Sequence, residues 1–167
     1  MSDTSLDDLA ARLQRLEDES AIQRLIMSYG PAADAGLAHF AGQLWQDDGL
    51  YDWDADGEPH VGGKGVEAML HTDVHQHLIG AGVAHFAGPL LVEVAGDRAT
   101  ALNYSLIMRR DGRRFYLWRV SAVRWDLERS GTSWRVRRRA NRLLDESGAG
   151  RQLFGESLQE LFAAGPA

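Results

Sequence analysis

The chain has 167 residues, of which 44% are hydrophobic and 25% charged, and these values fit one folded domain spanning residues 1–167. Its 24 acidic and 18 basic side chains give a net charge of −6, which disfavours binding to nucleic acid. There are no cysteines, so disulfides and thiolate metal ligands are excluded, and no apolar segment is long enough to cross a bilayer. These features predict a cytoplasmic protein with neither nucleic acid nor membrane as a partner.

The first third of the chain is predicted to be helical. Apolar residues recur every three or four positions from Leu6 to Tyr29, and the helix is expected to continue past Gly30 and Pro31 to about Asp34. The next predicted elements are a helix over 37–45, a strand over 50–53 and a helix over 66–78.

The second half of the chain changes to an alternating pattern that is typical of strands. Turn triplets that contain Gly96, Gly112 and Gly131 separate its segments. The predicted strands cover 84–94, 98–109, 113–128 and 133–143, and a helical tail covers 151–167. Helices followed by a meander predict an α+β fold, in which N-terminal helices pack on a curved antiparallel or mixed sheet that encloses a pocket for a small apolar ligand.

Five short motifs occur in a characteristic order. They are Y-x4-D-x-G from Tyr29, W-x-D-D from Trp45, G-x-x-G from Gly62, H-F-x-G from His85 and W-R-V-x-R-R from Trp134. Together they resemble the SnoaL-like branch of the NTF2 superfamily over residues 16–145. The resemblance implies a cone-shaped α+β fold in which strongly curved strands surround a pocket.

Within this branch the chain is most similar to scytalone dehydratases, hexachlorocyclohexane dehydrochlorinases and bile acid 7α-dehydratases. These enzymes use an Asp late in the first helix and a His that starts a strand, and the resemblance assigns these roles to Asp34 and His85. It adds Tyr29, as in the bile acid enzymes, and a late-strand arginine. Arg138 is the first choice and Arg142 the second, because both share strand parity with the apolar residues that should point inward.

An Asp beside an imidazole fixes the tautomer of the ring and stabilises its protonated form, so such a dyad can remove a C–H proton next to a leaving group. Arg138 or Tyr29 would then stabilise the departing oxygen or halide. The expected substrate-binding residues are Tyr51, Trp53, Phe86, Asn103, Tyr104, Leu106 and Trp118. The predicted function is β-elimination, either dehydration or dehydrohalogenation, from a hydrophobic, cyclic small molecule, with no metal or organic cofactor.

Other functions stay open. Strand 98–109 lacks the second histidine of scytalone dehydratase, so that substrate is not implied. The same proton abstraction would serve an isomerase or cyclase of polyketide or steroid type. The fold could also be a non-catalytic ligand-binding module, or the small subunit of an aromatic-ring-hydroxylating dioxygenase, which the segment 138–145 resembles.

Two surface features complete the prediction. His71 and His75 are one helical turn apart, but no third ligand is evident and no metal site is expected.

Apolar residues on the exposed face of the meander, including Leu117, Val123 and Trp125, predict a homodimer or homotrimer formed through the sheet.

Overall fold

The computed structural model describes residues 5–53 and 57–163. The described residues form five helices and seven strands. These are α1 (Leu6–Asp34), α2 (Ala38–Gly42), β1 (Trp45–Asp52), β2 (His60–Val61), α3 (Gly62–Leu70), α4 (Asp73–Ala81), β3 (Val83–Ala87), β4 (Leu91–Ala95), β5 (Arg98–Asp111), β6 (Arg114–Ser130), β7 (Ser133–Leu143) and α5 (Ala149–Ala163).

The long first helix begins and ends where the sequence predicts. A capping box starts it, because the Ser5 hydroxyl accepts a hydrogen bond from the Asp8 backbone N–H (3.1 Å) and the Asp8 carboxylate accepts one from the Ser5 N–H (3.2 Å). The helix continues through Pro31 and ends at Asp34. Gly36 then takes a φ of 72°, a left-handed conformation that suits glycine.

Three other elements differ from the prediction. The helix after α1 is short, and Trp45 already belongs to β1. The segment 66–78 is divided between two helices, because the Thr72 hydroxyl accepts a hydrogen bond from the His75 N–H and caps a new helix. The segment 84–94 is divided between β3 and β4, because Pro89 has no N–H to donate to a sheet.

The seven strands form one open sheet of mixed direction. Its order is β2-β1-β7-β6-β5-β3, and β4 pairs with a separate part of β5. Strand β1 runs parallel to β7, and every other pair is antiparallel. The predicted meander is present as β5, β6 and β7, so the α+β class of the fold is confirmed.

The two faces of the sheet have different partners. The inner face carries the core, in which Ile22 of α1 and Val66 of α3 pack with Trp125 of β6. On the outer face, the helix α5 is held by Arg124 of β6, which forms an ion pair with Glu160. The helices α1 and α5 therefore lie on opposite faces, and no described helix is long and apolar enough to cross a membrane.

Two of the three residues expected on the exposed face of the sheet lie in the core. Val123 and Trp125 are 0% and 2% exposed, so they cannot form an outer surface. Leu117 is 54% exposed, as expected. An oligomer formed through the sheet stays a prediction.

Candidate active site

The end of α1 and the start of the sheet bring Asp34 and His85 together. Asp34 is the last residue of α1, and His85 is the third residue of β3. Gly30 makes this approach possible, because a Cβ at that position would overlap the carbonyl oxygen of His85. The glycine at position 30, one helical turn before Asp34, therefore permits the close packing of helix and strand.

The carboxylate of Asp34 holds His85 at two points. One oxygen accepts a hydrogen bond from the backbone N–H of His85 (2.8 Å), and the other lies 2.5 Å from Nδ1 of its ring. The side chains are only 22% and 14% exposed. Because an ionised carboxylate can only accept, it assigns the ring hydrogen to Nδ1 and leaves a lone pair on Nε2. Within the described residues, no hydrogen bond engages Nε2.

One further histidine interacts electrostatically with His85, and a second histidine interacts with the first. The pKa of His75, on α4, is lowered by burial first and then by repulsion from His85 and His60. Burial also lowers the pKa of His60, on β2. A charge on one of these imidazoles thus disfavours a charge on its neighbours. The described residues contain no set of three metal-ligating side chains arranged to hold an ion.

A buried arginine lies in the aromatic part of the core. The guanidinium of Arg139 stands over the rings of Tyr29 (4.4 Å), Tyr51 (4.6 Å) and Trp125 (4.6 Å). It is 4% exposed, and within the described residues Nε and Nη1 have no hydrogen-bond partner. The three ring faces stabilise a charge that has no carboxylate beside it.

Tyr29 stays protonated in this cluster. Burial raises the pKa of its hydroxyl well above the usual value, and the neighbouring Tyr51 raises it further, while Arg139 lowers it. Tyr29 is therefore a hydrogen-bond donor at neutral pH. It precedes Gly30, the residue that touches the backbone of His85.

The prediction that Arg138 points inward is wrong, and the second choice, Arg142, is wrong as well. Both arginines form ion pairs with Asp52 on the outer side of the sheet, at 2.7 and 2.9 Å. The cause is a β-bulge in β7. Asp126 of β6 pairs with Arg138 of β7, and the next residue of β6 pairs with Val136. Arg137 is therefore an extra residue of β7 that has no partner in β6. The extra residue reverses the alternation and turns Arg139 inward.

The expected substrate-binding residues divide between the two faces. Tyr51 and Asn103 lie on the inner face, where they are 7% and 4% exposed, and Asn103 accepts a hydrogen bond from the indole N–H of Trp125 (2.9 Å). Trp53 follows β1, with its ring 6.4 Å from that of His60 and 5.8 Å from the guanidinium of Arg119.

The other four lie away from the Asp34–His85 pair. Phe86 points outward because it follows the inward His85, and it pairs there with Leu106. Tyr104 is also on the outer face, where its ring packs on Phe154 of α5 at 4.9 Å. Trp118 occupies a bulge of β6 and is 42% exposed. The positions of Phe86, Leu106 and Tyr104 are corrections to the predicted pocket wall, whereas Trp118 lines a hollow of its own.

Three of the hollows in the described part of the chain are lined by residues other than Asp34 and His85. One hollow, of about 550 Å³, is lined by Trp118, Arg119, Val120, Leu143, Leu144 and Asp145. This hollow lies two strands away from the Asp34–His85 pair in the sheet. Ile107 of β5 pairs with His85 of β3 on one side and with Arg119 of β6 on the other. The predicted hydrophobic pocket beside the pair is not confirmed.

An open mixed sheet wrapped around a long N-terminal helix places the molecule in the class of cone-shaped α+β domains. The sequence profile of the SnoaL-like domain matches residues 14–140, and the chain belongs to this family. No curated protein matches the chain significantly.

Solved structures show the same fold. An NTF2-like protein with a cystatin-like fold from Novosphingobium aromaticivorans has 42% sequence identity and a TM-score of 0.86, with 92% of this chain and 97% of that chain covered. A protein from the same organism that is provisionally named a scytalone dehydratase has 18% identity and a TM-score of 0.65, covering 78% and 87%. Another, provisionally named an aromatic ring hydroxylase, has 22% identity and a TM-score of 0.63, covering 78% and 91%.

Proposed function

We propose that this protein is a lyase that catalyses β-elimination from a hydrophobic, cyclic small molecule, with Asp34 and His85 as an acid–base dyad. The observation that carries the proposal is the pair of contacts by which the Asp34 carboxylate fixes both the backbone and the ring of His85. A histidine that only filled a core would not need its ring and its backbone fixed by the same carboxylate. The hold leaves Nε2 as the basic atom, in a site that water reaches poorly.

The proposed step moves one proton and one leaving group. Nε2 of His85 takes a proton from a carbon beside the one that bears the leaving group, and the electrons of the broken C–H bond form a C=C bond. The leaving group departs with its bonding pair, as a hydroxyl oxygen or a halide. The imidazolium, stabilised by Asp34, returns its proton to a departing hydroxyl, which leaves as water, or to solvent when a halide leaves. The step as written consumes no oxidant or reductant.

Tyr29 and Arg139 are proposed to stabilise negative charge that develops on the substrate. Tyr29 supplies a neutral O–H donor, and Arg139 supplies N–H groups that have no other partner in the described residues. In a dry interior each such donor is worth more than in water. Arg139 takes the role that the sequence assigned to Arg138. The hollow beside Arg119 is the proposed entrance for a substrate. The aromatic rings of the core favour binding of a substrate that contains an apolar ring.

Dehydration is the favoured form of the reaction. One structural neighbour is provisionally named a scytalone dehydratase, and its fold similarity supports this choice over dehydrohalogenation. Isomerisation would start with the same proton abstraction and would differ only in where the proton returns.

The test measures proton abstraction before it measures elimination. The protein is incubated in D2O with a panel of cyclic β-hydroxy ketones, and deuterium exchange and loss of water are followed by NMR and mass spectrometry. We expect exchange and loss of water with the wild-type protein, and a loss of about 10²–10⁴-fold in His85→Ala. The matched control is His71→Ala, because the side chain of His71 is 60% exposed and far less confined.

Three results would contradict the proposal. They are equal rates for His85→Ala and the wild-type protein, binding of a panel compound without exchange in any condition, and exchange lost equally in the His71→Ala control. The second result would instead support the non-catalytic binding module.

A further inference from the structure

A row of alternating cationic and aromatic side chains runs from β5 to the end of β1. The guanidinium of Arg109 on β5 lies 4.8 Å from the ring centre of Trp118, and that of Arg119 on β6 lies 5.8 Å from the same ring. Arg119 also lies 5.8 Å from the ring centre of Trp53, which follows β1. Two positive charges are therefore gathered around one indole, and we call these four residues the arginine–tryptophan row.

Both arginines of the row share a face of the sheet with His85. Ile107 of β5 pairs with His85 on one side and with Arg119 on the other, so these three side chains point the same way. Arg109 lies two residues after Ile107 in a regularly paired part of β5, and it points the same way too. Two strand spacings separate the Cα atoms of Arg119 and His85 by about 10 Å. This separation leaves room for a ring system between the two side chains.

The two arginines have no carboxylate beside them. Within residues 5–53 and 57–163, no ion pair engages Arg109 or Arg119. By contrast, Arg124, Arg129 and Arg142 of β6 and β7 each form an ion pair. Two guanidinium groups at one ring repel each other, and an anion between them would turn this repulsion into attraction. In a chain of net charge −6, such a pair indicates a site for an anion from outside the chain.

The row borders the hollow that is proposed as the substrate entrance. Trp118 and Arg119 line this hollow of about 550 Å³ together with Leu143. Asp145 lines it as well, but one oxygen of its carboxylate accepts hydrogen bonds from the backbone N–H and the hydroxyl of Ser147 (3.0 and 2.6 Å). The hollow therefore offers an apolar wall, an indole and a guanidinium to a single ligand.

We propose that the substrate is a ring compound with a negatively charged group, which binds between Arg109 and Arg119 while the adjoining ring packs on Trp118. A guanidinium binds the oxygens of a carboxylate, sulfonate or phosphate through paired N–H donors, and an indole binds an apolar ring. The charge would then lie at the end of the substrate away from the carbon that His85 deprotonates. The identification of this ligand as the substrate rests on the proposed function, whereas the anion site itself does not.

Isothermal titration calorimetry with matched ligands tests the anion site. Aromatic carboxylates with one, two or three fused rings are compared with the carboxamides of the same rings, which have a similar shape and no charge. We expect at least one carboxylate to bind the wild-type protein about tenfold or more tightly than its carboxamide, because hydrogen bonds to charged groups are the stronger ones. Arg109→Gln and Arg119→Gln should each remove most of this preference and change the affinity for the carboxamide little.

The matched control is Arg113→Gln. It removes an equal charge from an exposed position in the β5–β6 turn, so it should leave the affinities for both ligands unchanged. Circular dichroism checks that every variant is folded. Naphthalene-2-sulfonate and 2-naphthyl phosphate are measured against the same variants, and tighter binding of either with the same dependence on both arginines would support the site and identify its anion.

His85→Ala distinguishes a failure of this inference from a failure of the proposed function. The variant should keep the preference for the carboxylate, since the anion site does not use the imidazole. A preference for carboxylates in a protein that exchanges no substrate proton would support the anion site and contradict the catalytic proposal. Turnover of neutral hydroxy ketones by a protein without that preference would do the reverse.

Three results would overturn the anion site. The first is equal affinity for carboxylate and carboxamide, or no binding of any of these ligands. The second is an equal loss of affinity in Arg113→Gln, which would show a general effect of charge. The third is binding that appears only when Asp54→Asn and Asp56→Asn are combined, because carboxylates of segment 54–56, which lies outside the described residues, would then be the partners of the arginines.

Discussion

The helix α1 carries two carboxylates that hold the sheet, and they do so in different ways. Asp18, near the middle of the helix, is 6% exposed and accepts two hydrogen bonds from Arg129 (2.9 and 2.7 Å) and one from the indole of Trp134 (3.0 Å). Hydrogen bonding to Arg129 holds the pKa of Asp18 below its usual value. Every partner there is a permanent donor, so the contact has one state across ordinary pH.

Asp34, at the end of the same helix, has a partner that can change its charge. The ring of His85 can accept a proton at Nε2, because Nδ1 is held by Asp34 while Nε2 has no hydrogen bond among the described residues. The two sites share the residue type, the helix and the direction toward the sheet. What separates a structural carboxylate from a proposed catalytic one is therefore the chemistry of its partner.

The sharpest test of this contrast is the same substitution at both carboxylates. Asp34→Asn replaces an acceptor with an amide that can donate to Nδ1, which would move the ring hydrogen of His85 to Nε2 and remove the basic atom. We expect the rate of proton abstraction to fall about 10²–10⁴-fold with little change in melting temperature. Nitrogen chemical shifts of His85 should show the change of tautomer. Asp18→Asn should keep the rate, and an equal loss of rate in both variants would remove the distinction.

The next effect is on stability. Asp18→Ala leaves Arg129 with Asp97 as its remaining carboxylate partner, and we expect the free energy of unfolding to fall by about 1.5 kcal/mol at neutral pH. Urea denaturation measures it. Because the pKa of Asp18 is lowered in the folded state, this stabilisation is present above the unfolded pKa of about 3.9 and is lost as the pH falls through the folded pKa. A difference between variant and wild type that did not shrink in acid would contradict the assignment.

A smaller effect is expected where helix and strand touch. Gly30→Ala forces α1 away from the backbone of His85, and overpacking of this kind costs about 1–3 kcal/mol. The displacement should also lengthen the Asp34–His85 contact and lower the rate. Gly155→Ala, at a helical glycine with open space around it, is the control and should cause neither loss. Unchanged activity in Gly30→Ala would mean that the close approach is not needed.

The smallest effect concerns the three neighbouring histidines. The lowered pKa of His75 means that the unfolded chain binds its proton more readily, so this residue costs no stability above about pH 6.5 and an increasing amount as the pH falls below it. Measured by thermal unfolding, His75→Gln should therefore lose less stability than wild type between pH 7 and pH 5. Parallel pH profiles for the two proteins would contradict the lowered pKa of His75.

Sequence reasoning succeeded where motifs or alternation were undisturbed. The order of motifs was enough to bring Asp34 and His85 together, and the turns at Gly112 and Gly131 were enough to predict the meander. Alternation would also have excluded Phe86 from the wall, since His85 beside it was expected to face inward. Residue type alone therefore does not predict which face of a strand an aromatic side chain occupies.

Other features had no local signal. The bulge at Arg137 contains neither glycine nor proline, so nothing in the sequence marked the change of parity that separates Arg138 from Arg139. The approach of His60 to His75 depends on a two-residue strand, which is too short to show alternation and is set by its pairing with β1. Their proximity could be seen only in the folded chain.

The bulge in β7 has an evolutionary consequence. If every residue of β7 were paired regularly with β6, Arg138 and Ala140 would face inward in place of Arg139 and Asn141. Deletion of Arg137 alone would remove the bulge and keep Arg139 opposite Trp125, so the inner face would be unchanged. Relatives that keep the arginine-rich ending at full length but lack the bulge should therefore present a different arginine to their ligands, while relatives shorter by this one residue should present the same one.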